Sequence, residues 1–225
     1  MVNIKSWFII MIYYYLNLTL SFLIFGFYTM IKDYNNDTDN YKIKAKSRLE
    51  LDKIYNKIIP NVFFNVFLLS LPAVYCFNKL LVNTNYHLLK DLPLFAKYLA
   101  MPLLVDIMFY INHRSLHNKY LFYFHKRHHE LVSPVGLGSF YMSPVEFYWA
   151  IIIPIFGPLV LLGANSYNSH LWLTFSVFNG ICVAHSNTKN LSEFHDYHHS
   201  TKGYFKYNFG IDIFMDRLFG TRSIQ

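Results

Sequence analysis

Between about Trp7 and Ile31 the chain carries no charged residue. An apolar run of that length is what a helix needs to cross the hydrocarbon core of a bilayer. A second uncharged run extends from about Ile58 to Asn78. A third, from about Leu92 to Asn112, contains Lys97 and Asp106. A fourth, from about Val145 to Ala164, has only Glu146 near its start. A fifth, from about Asn165 to Ala184, is uncharged but holds Asn165, Asn168, His170 and Asn179, so it is the weakest of the five. The fourth and fifth flank the turn Gly163-Ala164-Asn165-Ser166 and are read either as two full spans or as a re-entrant hairpin. These runs explain a composition that is 54% hydrophobic and 20% aromatic, high for a soluble globular chain. The first run is longer than a signal-peptide core and lacks a small-residue cleavage pattern, so it reads as an uncleaved anchor.

Histidine supplies the second constraint. Eleven of the 225 residues are His, and eight of them form three clusters. His113 and His117 make H-x3-H; His125, His128 and His129 make H-x2-H-H; His195, His198 and His199 repeat that spacing. At this frequency two H-x2-H-H motifs arise by chance in roughly one chain per thousand. A lone histidine is more often a satisfied polar residue near a helix end, but the eight together are not explained that way. Residues i, i+3 and i+4 share one helix face, so each cluster is expected to aim its imidazoles at one point. Eight suit two metals with about four ligands each. Imidazole accommodates Zn, Cu, Fe and Ni. Structural zinc usually recruits Cys, whereas Cys76 and Cys182 lie in apolar runs and read as small buried hydrophobes.

Parity places every cluster on one membrane face, together with the polar linker 32–57, whose Lys/Glu-rich second half is a candidate surface helix. That face carries Lys32, Lys42, Lys44, Lys46, Arg48, Lys53 and Lys57, then Arg114, Lys119, Lys126 and Arg127. The opposite face has Lys5, Lys79 and Lys90. The positive-inside rule puts the histidines in the cytosol, and the formal +7 charge is a topology signal plus attraction to anionic headgroups. No nucleic-acid partner is implied. The sequons at Asn36 and Asn190 fall on the cytosolic side and are expected to stay unglycosylated. The expected fold is all-α: a polytopic membrane helical bundle with a cytosolic histidine-lined helical cap. Residues 1–91 supply anchor spans and the linker, and 92–225 the catalytic region.

From about Leu92 to Thr221 the chain resembles the fatty acid hydroxylase/sterol desaturase superfamily of membrane di-iron oxidoreductases. The residues that carry the resemblance are Asp106-Ile-Met-Phe-Tyr110-Ile-Asn-His113-Arg114, then His125-Lys-Arg-His128-His129 followed by Ser143-Pro144-Val145-Glu146. His185-Ser-Asn, His195-Asp-Tyr-His198-His199, Asn208-Phe209-Gly210 and Asp216-Arg217-Leu218-Phe219-Gly220-Thr221 complete it. Met215 stands where a Trp is usual, and Ile181 where some members have a second histidine upstream of the third box. The resemblance implies nine metal ligands: His113, His117, His125, His128, His129, His185, His195, His198 and His199. His170 is the weaker candidate for a tenth, and His87 sits on the wrong face.

The same resemblance implies two iron ions, with zinc possible in purified material, and O2 activation driven by NAD(P)H-derived electrons. Those electrons would arrive through a reductase and a cytochrome b5-like carrier, in the endoplasmic reticulum. The substrate is expected from the bilayer, a sterol or related lipid; fatty-acyl or alkylglycerol hydroxylation and sterol desaturation are the alternatives. A non-catalytic metal-binding membrane protein is the reading of another class. Asp106 lies seven residues before His113, two helical turns, and is a candidate acceptor for the outer ring N–H of a ligand; pairing with Arg114 is its bland alternative. Asp196 and Glu193 are candidates for the same role.

Overall fold

The computed structural model describes residues 4–35, 47–82, 86–132, 134–164, 166–185, 193–200 and 205–223, and all regular elements among them are helical. Five long helices run up and down. Helix α1 is Ile4–Asn35. Helix α2 covers 48–82, with a π-helical stretch at Phe64–Leu69. Helix α3 is Leu94–Leu116. Helix α4, Pro144–Leu162, has its π stretch at Phe147–Ile152. Helix α5 covers 166–184 and ends in a third π stretch, Asn179–Ala184. Two short helices follow, α6 at Glu193–His199 and α7 at Met215–Leu218. The first four are long and apolar enough to cross a membrane, which makes this a multi-pass membrane protein. Helix α5, at nineteen residues, is about 28 Å long and runs antiparallel to α4.

Local sequence explains these elements. On α1, Tyr14, Leu18 and Phe22 are buried while Phe8, Ile12, Leu16, Leu20, Ile24 and Phe27 are exposed. An exposed apolar stripe of that length has lipid as its solvent. The hydroxyls of Thr19 and Thr29 bond back to the carbonyls of Tyr15 and Gly26, which keeps polar groups satisfied where water is absent. Helix α2 starts ten residues earlier than the apolar run: Ser47 and Glu50 form a reciprocal capping box, and Leu51, Tyr55, Ile58 and Val62 bury one stripe. The Lys/Glu-rich half of the linker is therefore helical but continuous with the second span. Its first part, with the Asn36 sequon, lies outside the described residues, as does Asn190. Helix α4 is capped by Ser143, which accepts from the Glu146 N–H, and it stops at Gly163, where φ is +57°.

The π stretches leave carbonyls without helical partners, and side chains from neighbouring helices take them. Tyr15 donates to the Phe67 carbonyl, Tyr148 to Leu69 and Asn112 to Trp149. Asn17 reaches Thr174 from α1 to α5. Bonds of this kind tie apolar helices together in lipid at about 0.6 kcal/mol each. One hydrophobic core, including Phe22, Ile58, Phe147, Phe156, Leu173 and Ile181, joins the first 91 residues to the rest. Cys182 is buried, but Cys76 is exposed on α2, a correction to the expectation that both are core residues.

Candidate metal centre

The ends of α3 and α5 and the start of α4 meet at the same end of the bundle, and the nine expected histidines collect there. His113 and His117 close α3. His125 ends a single helical turn, Phe122–His125, and His128 and His129 open the 3-10 turn His128–Glu130. Glu130 pairs with Lys57 of α2 at 2.7 Å and accepts from the Tyr141 hydroxyl, which holds this hairpin against the bundle. His185 follows the π stretch of α5, and His195, His198 and His199 sit on α6. All nine are buried.

They form two groups. His113, His117, His125, His129 and His198 make one; His128, His185, His195 and His199 make the other. Within each, one ring nitrogen per residue lies within 4.8 Å of all the rest. The groups stand side by side, with His129 stacked on His199 at 4.7 Å. Sharing a box does not mean sharing a group, which corrects the expectation that i, i+3 and i+4 aim at one point. His125 and His129 serve the first group while His128 crosses to the second; His195 and His199 serve the second while His198 crosses to the first. On α6, which is one continuous helix, i and i+4 differ by about 40° in azimuth, whereas i+3 falls about 60° to the other side. Two centres placed on either side of the box therefore divide it.

The hydrogen bonds fix which nitrogen faces inward. His113 donates from Nδ1 to the Phe209 carbonyl at 2.8 Å, His198 to Tyr207 at 2.7 Å, His185 to Gly180 at 3.0 Å and His128 to Tyr141 at 3.3 Å. A carbonyl only accepts, so Nδ1 carries the proton and Nε2 is a bare lone pair. His125 donates its Nδ1–H to the Glu146 carboxylate at 2.6 Å. The Nε2 atoms then face one another: His125 lies 3.0 Å from His113 and 2.9 Å from both His117 and His129, and His117 lies 3.1 Å from His198. In the second group His128 is 3.2 Å from His185, and His195 is 3.1 Å from His199.

Burial lowers the ring pKa values, to about 2 at His117, about 3 at His198 and about 4 at His128, and well below the usual range at His125, His185, His195 and His199. Converging neutral lone pairs repel unless a cation lies between them. Such close approach of neutral ring nitrogens fits a donor set shaped for metal ions, and imidazole accommodates Fe, Zn, Cu and Ni alike. Both groups consist of imidazole alone.

Asp106 is buried but touches no histidine: its oxygens accept from the backbone N–H groups of Ile211, Phe214 and Met215. Seven residues separate it from His113, a rise of about 10 Å, too far for a direct bond despite the shared face. Arg114 instead donates to the Tyr110 hydroxyl. Asp196 is half-buried on α6 and belongs to neither group; the Glu193 side chain lies outside the described part. His170 packs on Tyr14, and His87 lies against the Leu81 carbonyl. Ile181, where a further histidine is found in some members of the resembling family, is buried in the core. The residue the sequence reading missed is Glu146. Its signal was a carboxylate in the first turn of a spanning segment, where an ionisable residue is functional by default.

The family profile described as fatty acid hydroxylase matches residues 98–221. The chain is 29% identical over 202 residues to human (Homo sapiens) fatty acid hydroxylase domain-containing protein 2, covering 84% of this chain and 59% of that protein. It is 32% identical to a very-long-chain aldehyde decarbonylase of rice (Oryza sativa), covering 80% and 73%. It is 29% identical to a methylsterol monooxygenase of Arabidopsis thaliana, with the same coverage. The chain thus spans less than two thirds of the human relative. No solved structure matches it significantly.

Proposed function

The chain belongs to the fatty acid hydroxylase family, and from that premise we propose that it is a membrane-bound lipid oxygenase with a two-metal centre. The observation that carries the reading is the pair of buried all-histidine groups, five and four, with lone pairs converging at the ends of membrane helices. The ions proposed are iron, which when bound supply the O2-activating redox chemistry. The overall reaction balances as R–H plus O2, two electrons and two protons giving R–OH and water.

The chain's own residues hold and orient. Carbonyls of Tyr141, Gly180, Tyr207 and Phe209 set the tautomers of four histidines. Glu146 sets that of His125 and offsets part of the cationic charge. Phe122 and Phe205, 5.2 Å apart, lie edgewise or tilted over His117 and keep water from the five-histidine group. We read the substrate as a sterol or sterol-like lipid entering from the bilayer, a choice supported by the methylsterol monooxygenase relative. A fatty-acyl or alkylglycerol chain is the competing substrate, favoured by the name of the human relative. Electrons are proposed to come from NAD(P)H through a reductase and an acidic, cytochrome b5-like carrier. Lys119, Lys126 and Arg127, exposed beside the second histidine box, would steer that carrier. In this reading the centre faces the cytosol from the endoplasmic reticulum membrane.

The test is a sterol and fatty-acid profile, by mass spectrometry, of a eukaryotic host expressing this chain. The control carries His128→Ala and His198→Ala, which removes one ligand from each group. An oxidised or desaturated lipid present only with the intact chain supports the reading and identifies the substrate. Identical profiles from two expressed, membrane-inserted proteins count against it.

A further inference from the structure

The segment 207–223 wraps under the five-histidine group and is held there by two carboxylates from different parts of the chain. Asp106, deep on α3, accepts from the N–H groups of Ile211, Phe214 and Met215 at 2.8–3.0 Å. Asp216, at the start of α7, accepts from the N–H groups of Phe209 and Gly210 at 2.9 and 2.6 Å and from the Thr221 hydroxyl at 2.7 Å. Both side chains are 1% exposed. Gly210 is wedged between them: a Cβ there would lie 2.7 Å from an Asp106 oxygen and 2.8 Å from an Asp216 oxygen.

Asn208 precedes this clasp with φ +61°, a left-handed backbone that Asn tolerates better than most residues other than glycine and that Ala adopts only at a cost. Its side chain donates to the carbonyls of Phe194 and Ser223 and accepts from the Ser223 N–H. The carbonyls on either side of this reversal, Tyr207 and Phe209, are the two that receive Nδ1–H from His198 and His113. Those histidines come from different helices but belong to the same five-histidine group. In the four-histidine group, His128 and His185 take their backbone acceptors elsewhere, from Tyr141 and Gly180.

We propose that Asp106 and Asp216 are positioning residues for one metal of the pair: by fixing the backbone after Asn208 they aim the Tyr207 and Phe209 carbonyls at His198 and His113. Their effect is thus selective for the five-histidine group. The inference rests on the two-metal reading above, but its readout is metal content, not turnover. An Asp106→Asn change replaces one acceptor oxygen with an NH2 group facing N–H donors. Loss of the supporting partners of a metal ligand typically weakens metal affinity by about 10–100-fold.

The experiment uses the full chain, expressed in cobalt-supplemented medium and purified in detergent, with cobalt per chain measured by elemental analysis and ligand-field absorption. The wild type is expected to hold two ions; Asp106→Asn and Gly210→Ala are expected to hold one, with the absorption of the other site unchanged. Asn208→Gly and Asn208→Ala lose the same side-chain bonds and differ only in the cost of the left-handed backbone, so Gly is expected to retain more cobalt than Ala. That pair decides the matter should Asp106→Asn fail to fold. Two ions with wild-type absorption in the folded variants, or joint loss of both, overturns the clasp alone. A folded wild type that binds no cobalt overturns the two-metal reading and the clasp with it.

Discussion

His125 donates its Nδ1–H to Glu146 across 2.6 Å, with both side chains at most 2% exposed. The bond joins the second histidine box to the first turn of α4. The second oxygen of Glu146 has no partner among the described residues. Glu146 is thus positioned to raise the basicity of His125, whose Nε2 lies within 3.0 Å of three other ring nitrogens. Glu146→Ala is expected to lower metal affinity and turnover by about 10–100-fold, and Glu146→Gln, which keeps an acceptor, by less than tenfold. Metal titration of the detergent-purified chain measures the difference; equal affinities for all three proteins would remove Glu146 from the site.

The buried histidines make the metal-free chain acid-sensitive. Burial lowers His128 from 6.5 to about 4 and His198 to about 3. Below pH 6.5 the unfolded chain therefore binds protons that the folded chain refuses, and stability falls as pH falls. The loss at each such residue begins near pH 6.5 and continues down to its folded pKa, at up to about 1.4 kcal/mol per pH unit. The unfolding midpoint of metal-free protein should drop steadily between pH 7 and pH 5. A flat profile would mean that these rings are not buried in the neutral form.

The boxes were legible in sequence because histidine is rare enough for the repeated spacing to stand out. How each box is divided was not, since that depends on where α6 docks against the end of α3, an arrangement no local spacing encodes. Asp106 shows the same limit: its burial and its face were readable, but a rise of about 10 Å separates it from His113, and its partners lie more than 100 residues away. The Tyr207 and Phe209 acceptors are backbone atoms with no side-chain signature. The helical spans were read within a few residues where apolar runs set their ends, and missed by ten at Arg48, where the Ser47–Glu50 capping box does so.

The division of the boxes predicts that neighbours in sequence serve different ions. His128→Ala and His129→Ala, adjacent in the chain, should each lower cobalt stoichiometry from two toward one but leave different absorption spectra behind. His128→Ala should resemble His199→Ala, and His129→Ala should resemble His117→Ala. Identical residual spectra from the adjacent pair would merge the two groups into a single site.

The turn between α4 and α5 decides whether that pair crosses the membrane. Pro144–Leu162 is nineteen residues long, and so is the helix 166–184. Each reaches about 28 Å, close to the hydrocarbon thickness of about 30 Å. Gly163, at φ +57°, closes α4 beside the His87 ring, which a Cβ there would approach to 2.9 Å. His87 lies between α2 and α3, at the end of the bundle opposite the histidine groups. The turn should therefore reach the far face. In a Cys76→Ser, Cys182→Ser background, Ala164→Cys and Tyr86→Cys should react with a membrane-impermeant thiol reagent from one side of sealed vesicles, and Lys126→Cys from the other. Labelling of Ala164→Cys from the Lys126 side, or its protection from both, would establish a re-entrant hairpin.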